Sequence, residues 1–325
     1  VKSNELITWE GKGGKRKYFD YQNEEPTGRR ETRMYEYVQW GDKEHHYNGK
    51  YLQTRGYDFQ IPGVTKDSIL EIYRDELSGQ FTDTELEQLG DKDSEILSNL
   101  LHKWRDSWDL GIYSDPYYVF ETVSCGINVT AMLQGDKLRN TSPVIHTLMW
   151  WDHLGYEPKT IIDVGAGVGL SSVWMASRYK NTQVYVDEIS PLSVQLLRRT
   201  KKELGLENLH IGDQLDRYDA GTFYEVVEHI QSPDDPTIGT PFPWTDRYLE
   251  RLENSFVYST YWTKNESSVG HFDKYDFGKG VSDKPRTWGR EMKKSMNERG
   301  WHLDQRPDFY GSLPKFFWRT DERPE

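Results

Sequence analysis

The stretch Ile161-Ile162-Asp163-Val164-Gly165-Ala166-Gly167-Val168-Gly169-Leu170 constrains the fold more than any other part of the chain. An apolar run stops at three glycines separated by single residues, and a helix-like segment, Leu170–Tyr179, follows. The pattern predicts a strand, a tight turn and a helix. Glycine takes positive φ without a Cβ clash and lets a ligand approach the backbone closely, while the helix start offers free N–H groups. A dinucleotide-binding turn would read G-x-G-x-x-G, but here the third glycine comes one residue early and Leu170 stands where that pattern wants glycine. The phosphate-cradling G-x-x-x-x-G-K-[ST] is absent as well. Taken alone, such a turn serves structure as readily as binding.

Its surroundings supply the context. Ser142-Pro143 is a good helix start, and that helix runs through Leu148, Trp151 and Leu154 to Gly155. Strand-like Thr160–Val164, Gln183–Val186 and Asn208–Ile211 alternate with helix-like Leu170–Tyr179 and Pro191–Leu204. Helix-like Thr245–Leu252 precedes strand-like Ser255–Tyr261, and Arg286–Arg299 precedes a last strand region near Trp301–Phe317. Such alternation predicts an α/β fold, a Rossmann-like, doubly wound and mostly parallel sheet covered on both faces.

At 325 residues the chain is long for one domain. We divide it into an N-terminal α+β extension, residues 1–140, and an α/β domain, residues 141–325. Residues 1–60 are rich in glycine, tyrosine and charge and show little sustained periodicity, although Met34–Trp40 alternates like a half-buried strand. Residues 82–105 read as a helix capped by Thr82 or Thr84, and Tyr117–Leu133 is apolar and β-branched. Trp40, Tyr47, Tyr51, Trp104, Trp108, Tyr117 and Tyr118 are able to stack on a sugar or aromatic ligand, but core packing is the more ordinary use of such residues.

A net charge of -12 argues against a mainly electrostatic grip on nucleic acid. The basic group Lys12, Lys15, Arg16 and Lys17, near Arg29, Arg30 and Arg33, reads as a solvated terminus. The one cysteine, Cys125, excludes an internal disulfide framework and a multi-cysteine zinc site. No apolar run approaches the roughly 20 residues of a membrane helix, and no signal-peptide pattern opens the chain. A cytoplasmic location and no membrane partner are the resulting expectations.

Two acids extend the glycine turn into a constellation. About twenty residues on, the second strand ends in Asp187-Glu188, where a carboxylate can accept both ribose hydroxyls of an adenosine. The third strand ends in Gly212-Asp213, where a carboxylate can receive the adenine amino group. On these residues the chain resembles the class I S-adenosylmethionine-dependent methyltransferases over roughly residues 140–320. The resemblance implies that Asp163, Gly165, Ala166, Gly167 and Gly169 hold the methionine part of S-adenosylmethionine. It sets Glu188-Ile189-Ser190-Pro191 at the ribose-binding turn, favouring Glu188 over Asp187, and Asp213 at the adenine position. In that register Val186 stands where glycine is usual, so Asp187 stays in play.

A second segment, Tyr218 through Ile230, contains Glu225, Glu228 and His229 at i, i+3 and i+4, which share a face if the stretch makes a helical turn. Two carboxylates and an imidazole suit a divalent cation such as Mg or Mn. Capping a helix and lining a pocket is the competing reading. The segment resembles the fourth strand and turn of the branch that holds the ubiquinone-biosynthesis O-methyltransferases and the small-RNA 3′-terminal 2′-O-methyltransferases. That resemblance adds Glu225 to the cofactor site and His271, after the fifth strand, as a fourth metal ligand. Ala220 and Gly221 are poor strand residues, predicting a short fourth strand. Without a metal, His229 or His271 is the candidate catalytic base.

The function expected is methylation of a hydroxyl on a small molecule or glycan, with metal assistance an open option. The alternatives are an RNA 3′-terminal 2′-O-methyltransferase and a binding protein that kept the fold without transfer. Pyrimidine C5 transfer needs a cysteine nucleophile, and Cys125 lies outside these motifs; the Asp/Asn-Pro-Pro-aromatic motif of amino-methylating DNA enzymes does not occur.

Overall fold

A computed structural model describes residues 3–11, 14–24, 30–40, 43–47, 51–55, 65–90, 137–139, 143–224, 238–239, 247–259, 274–275, 293–304 and 315–319, together with 116, 118–120, 122–123 and 226. The α/β half is built on a seven-stranded sheet. Its strands are β7 (Thr160–Val164), β8 (Gln183–Asp187), β9 (Leu209–Ile211), β10 (Tyr218–Tyr224), β12 (Leu252–Ser259), β14 (Trp301–Leu303) and β15 (Lys315–Arg319), in the order β14-β15-β12-β10-β7-β8-β9. Strands β9, β8, β7, β10 and β12 run parallel, and β15 is antiparallel to both β12 and β14. The chain winds outward in both directions from β7, so a crevice opens between the carboxyl ends of β7 and β10, where open sheets of this kind bind ligands.

Local chemistry sets the element ends. Helix α3 (Pro143–Leu154) begins on its proline and is followed by Gly155 at φ 62. Helix α5 (Pro191–Leu204) is capped by Ser190, whose hydroxyl accepts from the Ser193 amide at 3.2 Å, and ends at the left-handed Gly205. Helix α4 (Leu170–Arg178) starts from Gly169. On one face of the sheet α3 and α4 bury Leu148, Trp151, Val173 and Met175 against Ile161, Val184 and Val257. On the other, Ile162, Val164, Phe223, Phe256 and Phe317 pack with Tyr248, Met296 and Trp301. Strands buried on both faces explain the continuous apolar runs.

The fourth strand of this sheet, β10, is not short. It spans seven residues, hydrogen-bonded in parallel to β7 on one side and β12 on the other. Gly221 is required there by packing, since a Cβ would come within 2.7 Å of Leu252 Cδ1. Pairing on both edges outweighs the weak strand preference of Ala220 and Gly221.

Within residues 1–60, which show little periodicity, lies a meander of β1 (Ser3–Gly11), β2 (Gly14–Glu24), β3 (Arg30–Trp40), β4 (Lys43–Tyr47) and β5 (Tyr51–Arg55), closed by β6 (Lys137–Arg139). The basic residues Lys15, Arg16, Lys17, Arg30 and Arg33 lie on β2 and β3. A further pair of strands, β11 (Ile238–Gly239) and β13 (Lys274–Tyr275), runs parallel. Between β5 and β6 the chain forms α1 (Lys66–Leu77), α2 (Asp83–Glu87) and helical residues at 116, 118–120 and 122–123. Ile69, Leu70, Tyr73, Leu77, Phe81, Val119 and Phe120 share one core with Val168, Leu170, Leu192 and Leu196. Helices from the first 140 residues thus pack directly on the glycine turn and on α5. Among the described residues no helix is long and apolar enough to cross a membrane.

Candidate cofactor site

Strand β7 delivers its last residues into the turn 165–169. Gly165, Gly167 and Gly169 have φ of 63, 58 and 77, a region costly for residues with a Cβ. Space is equally limiting, because a Cβ on Gly165 would overlap Val226 and one on Gly169 would overlap Leu197. Gly167 faces the N-terminal helices, with Thr122 Cγ2 3.1 Å from where its Cβ would stand. The Gly165 amide donates to the Asp187 carbonyl at 2.7 Å, pinning the turn to the end of β8. Among the described residues, the amides of Ala166 and Val168 have no acceptor.

Asp163 is buried beneath this turn. Its carboxylate accepts from Thr222 Oγ1 at 2.8 Å, from Ser171 Oγ at 3.0 Å and from Ser172 Oγ. Burial pushes its pKa up against the opposing pull of those hydroxyls. Asp163 therefore fastens the start of α4 to β10, and acts on the turn from below.

At the end of β8 the two neighbouring acids face different partners. Glu188 turns to the glycine loop, its Oε2 accepting from the Gly167 amide at 2.6 Å and its Oε1 from the Ser190 amide at 2.7 Å. Burial raises its pKa, the backbone amides of Ser190, Gly167 and Ile189 lower it, and the charge of Asp187 raises it again. Asp187 instead accepts from the Tyr248 hydroxyl, with Arg247 3.9 Å away. The structure brings Glu188, not the Asp187 side chain, to the turn.

Asp213 lies beyond β9 in a closed set of contacts. Arg251 donates to both of its oxygens, at 2.6 and 2.7 Å, and Tyr218 donates to Oδ1 at 2.6 Å. The guanidinium holds the Asp213 carboxyl below its ordinary pKa, while burial and this carboxylate push the Tyr218 hydroxyl up to about 12.

Glu225, Glu228, His229, His271 and Cys125 lie outside the described residues. Among the described residues no three His, Cys, Asp or Glu side chains gather as a metal site.

Several residues at this site were not singled out from the sequence. Tyr73, fully buried on α1, donates to the Val168 carbonyl within the turn at 3.3 Å. Ile189 is 68% exposed, the one exposed large hydrophobic among the described residues. Its signal was available, as an apolar residue inside an otherwise polar turn. Tyr73, Thr122 and Arg251 gave none, since each reaches the site across a long sequence separation.

No protein-family profile matches the chain, and no curated protein does. Solved structures do match. Coclaurine N-methyltransferase bound to N-methylheliamine and SAH is 14% identical over 66% of this chain and 69% of its own, with a TM-score of 0.33. Magnesium protoporphyrin IX methyltransferase from Synechocystis PCC 6803, with bound SAM, is 14% identical over 74% of this chain and 99% of its own, at 0.41. A SAM-dependent methyltransferase from Aquifex aeolicus is 14% identical over 55% of this chain and 89% of its own, at 0.36. The strand order and the antiparallel β15 give a Rossmann-like, doubly wound and mostly parallel sheet, the fold class expected from the sequence.

Proposed function

We propose that the chain binds S-adenosylmethionine in the crevice at the glycine turn and transfers its methyl group to a hydroxyl of a small molecule or glycan. The observation that carries this is the Glu188 carboxylate seated on the Gly167 amide, which joins the ends of β7 and β8 at the place a nucleoside sugar needs an acid. The unpartnered amides of Ala166 and Val168 fit the carboxylate of the methionine part.

The cofactor supplies an electrophilic methyl on a sulfonium. The chain has to hold it and to bring the acceptor oxygen into line behind that methyl. Glu188 accepts the ribose hydroxyls, and Asp163 keeps the turn in position through Ser171, Ser172 and Thr222. As the new O–C bond forms and the C–S bond breaks, the proton of the acceptor hydroxyl passes to a base, for which His229 and His271 are the proposed residues. A Mg or Mn ion held by Glu225, Glu228, His229 and His271 would acidify that hydroxyl. This metal-assisted form rests on the donor set alone. We place the protein in the cytoplasm on its cysteine usage, and treat residues 1–140 as the part that shapes the acceptor site or forms a lid.

Calorimetric titration with S-adenosylhomocysteine tests the reading. Binding in the micromolar range is expected, with Glu188→Ala weakening it about tenfold or more, since truncation leaves the ribose hydroxyls unpaired. Asp187→Ala is expected to do much less. No binding by the intact chain would leave a protein that kept the fold without the chemistry.

A further inference from the structure

β12 pairs with β10 through Ser259 and Tyr224, and with β15 through Tyr258 and Lys315. Lys315 therefore opens β15 at the edge of the sheet where β10 and β12 end. Directly paired residues share a face, as do residues two apart on one strand. Lys315 thus stands on the face of Tyr258 and Phe317, both buried in the aromatic core there. It is partly buried, and among the described residues its ammonium has neither an ion pair nor a hydrogen bond. Burial lowers its pKa, with no neighbouring charge to oppose the shift. The acid that follows β14, Asp304, is taken by Trp318 Nε1 on the other face. Ser259, the last residue of β12, is 2% exposed, and its Oγ has no hydrogen-bond partner among the described residues. Alternation sets Ser259 and Lys315 on opposite faces, so what the two share is the carboxyl edge itself.

We infer that Lys315 receives an oxyanion, a carboxylate or a phosphate, carried by the acceptor, so that the molecule methylated is a small anion. The inference deepens the function proposed above and rests on it. In that reading Glu188 holds the nucleoside between the ends of β7 and β8, which leaves the side of β10 and β12 for the acceptor. Lys315 lies three strands from β7, roughly 14 Å at the usual strand spacing. It is too far to serve the glycine turn and within the span of a small acceptor bound beside it. An ammonium drawn out of water without a counter-ion is costly, and an acceptor that brings the missing charge recovers that cost as it binds. A neutral acceptor of the same shape leaves the ammonium unpaired, and is selected against for that reason.

The test is calorimetric titration of the full chain, first saturated with S-adenosylhomocysteine, with inorganic phosphate and separately with benzoate. At least one of the two anions is expected to bind with a dissociation constant of about a millimolar or tighter. Lys315→Met is expected to weaken that binding about tenfold or more, and Lys315→Arg, which keeps the charge, to retain it. Binding of phosphate alone assigns a phosphorylated acceptor, and binding of benzoate alone a carboxylate. Binding of neither anion, or binding that Lys315→Met leaves unchanged, overturns the inference while the bound S-adenosylhomocysteine leaves the proposed function standing. Failure of S-adenosylhomocysteine to bind at all removes both. Should Lys315→Met not fold, Lys315→Gln carries the same readout.

Discussion

Glu188 and Asp213 both end strands of one sheet, yet their pKa values move in opposite directions because their partners differ. Asp213 has a guanidinium across from it, and its depressed pKa means its stabilising contribution is present above the ordinary carboxylate value and fades as pH falls through the lowered one. Asp213→Asn should therefore cost about 1.5–3 kcal/mol near neutral pH, and the gap to the parent should close in strong acid; urea titrations across pH check this. Glu188 has only amides against its burial, and its pKa is raised. Ionising it costs stability above the raised value, and that cost is relieved as pH falls through it towards the ordinary range. The anion is also the form that accepts ribose hydroxyls. Affinity for S-adenosylhomocysteine should accordingly start to fall at a higher pH than an ordinary carboxylate would dictate, and Glu188→Gln should weaken binding, since its amide nitrogen cannot accept from the Gly167 or Ser190 amide.

Among the elements, the glycine turn is held from three sides. β8 grips the Gly165 amide, Asp163 fixes the start of α4, and α1 reaches the Val168 carbonyl through Tyr73. Gly165→Ala combines a positive φ with overlap at Val226, and is expected to destabilise the fold by about 1–3 kcal/mol in chemical denaturation. Tyr73→Phe removes the hydrogen bond to the Val168 carbonyl, worth about 1 kcal/mol, so a loss of about that size in unfolding free energy is expected in chemical denaturation. Elements with hard chemical stops were legible in the sequence. β7 ends at Val164, just before Gly165, and α5 runs from Pro191 after the Ser190 cap to Leu204 before Gly205; both spans match the reading of the sequence residue for residue. β12 was placed three residues late, starting at Leu252 and not at Ser255, because no breaker separates it from the preceding helical turn. β10 was underrated because partners on both edges, not its own residues, hold it.

For the molecule as a whole, the doubly wound sheet follows from a pattern that any chain burying both faces of parallel strands must show. The division proposed at residue 140 follows composition. Ile69, Tyr73, Leu77 and Phe120 pack with Leu170, Leu192 and Leu196, a continuity carried by contacts far apart in sequence and hidden from any local pattern. The glycine turn and Glu188 could be named in advance because their spacing along the chain is short. The engagement of Asp213 by Arg251 could not, since it depends on how the segment before β12 crosses the sheet.

The most direct measurement is a crystal structure of the chain grown with S-adenosylhomocysteine. Density is expected at the carboxyl ends of β7 and β8, with ribose hydroxyls within hydrogen-bonding distance of Glu188 and the amino-acid end over Gly165 to Gly167. A crevice filled by protein side chains, or the ligand seated elsewhere, would contradict the assignment of this turn as a cofactor site.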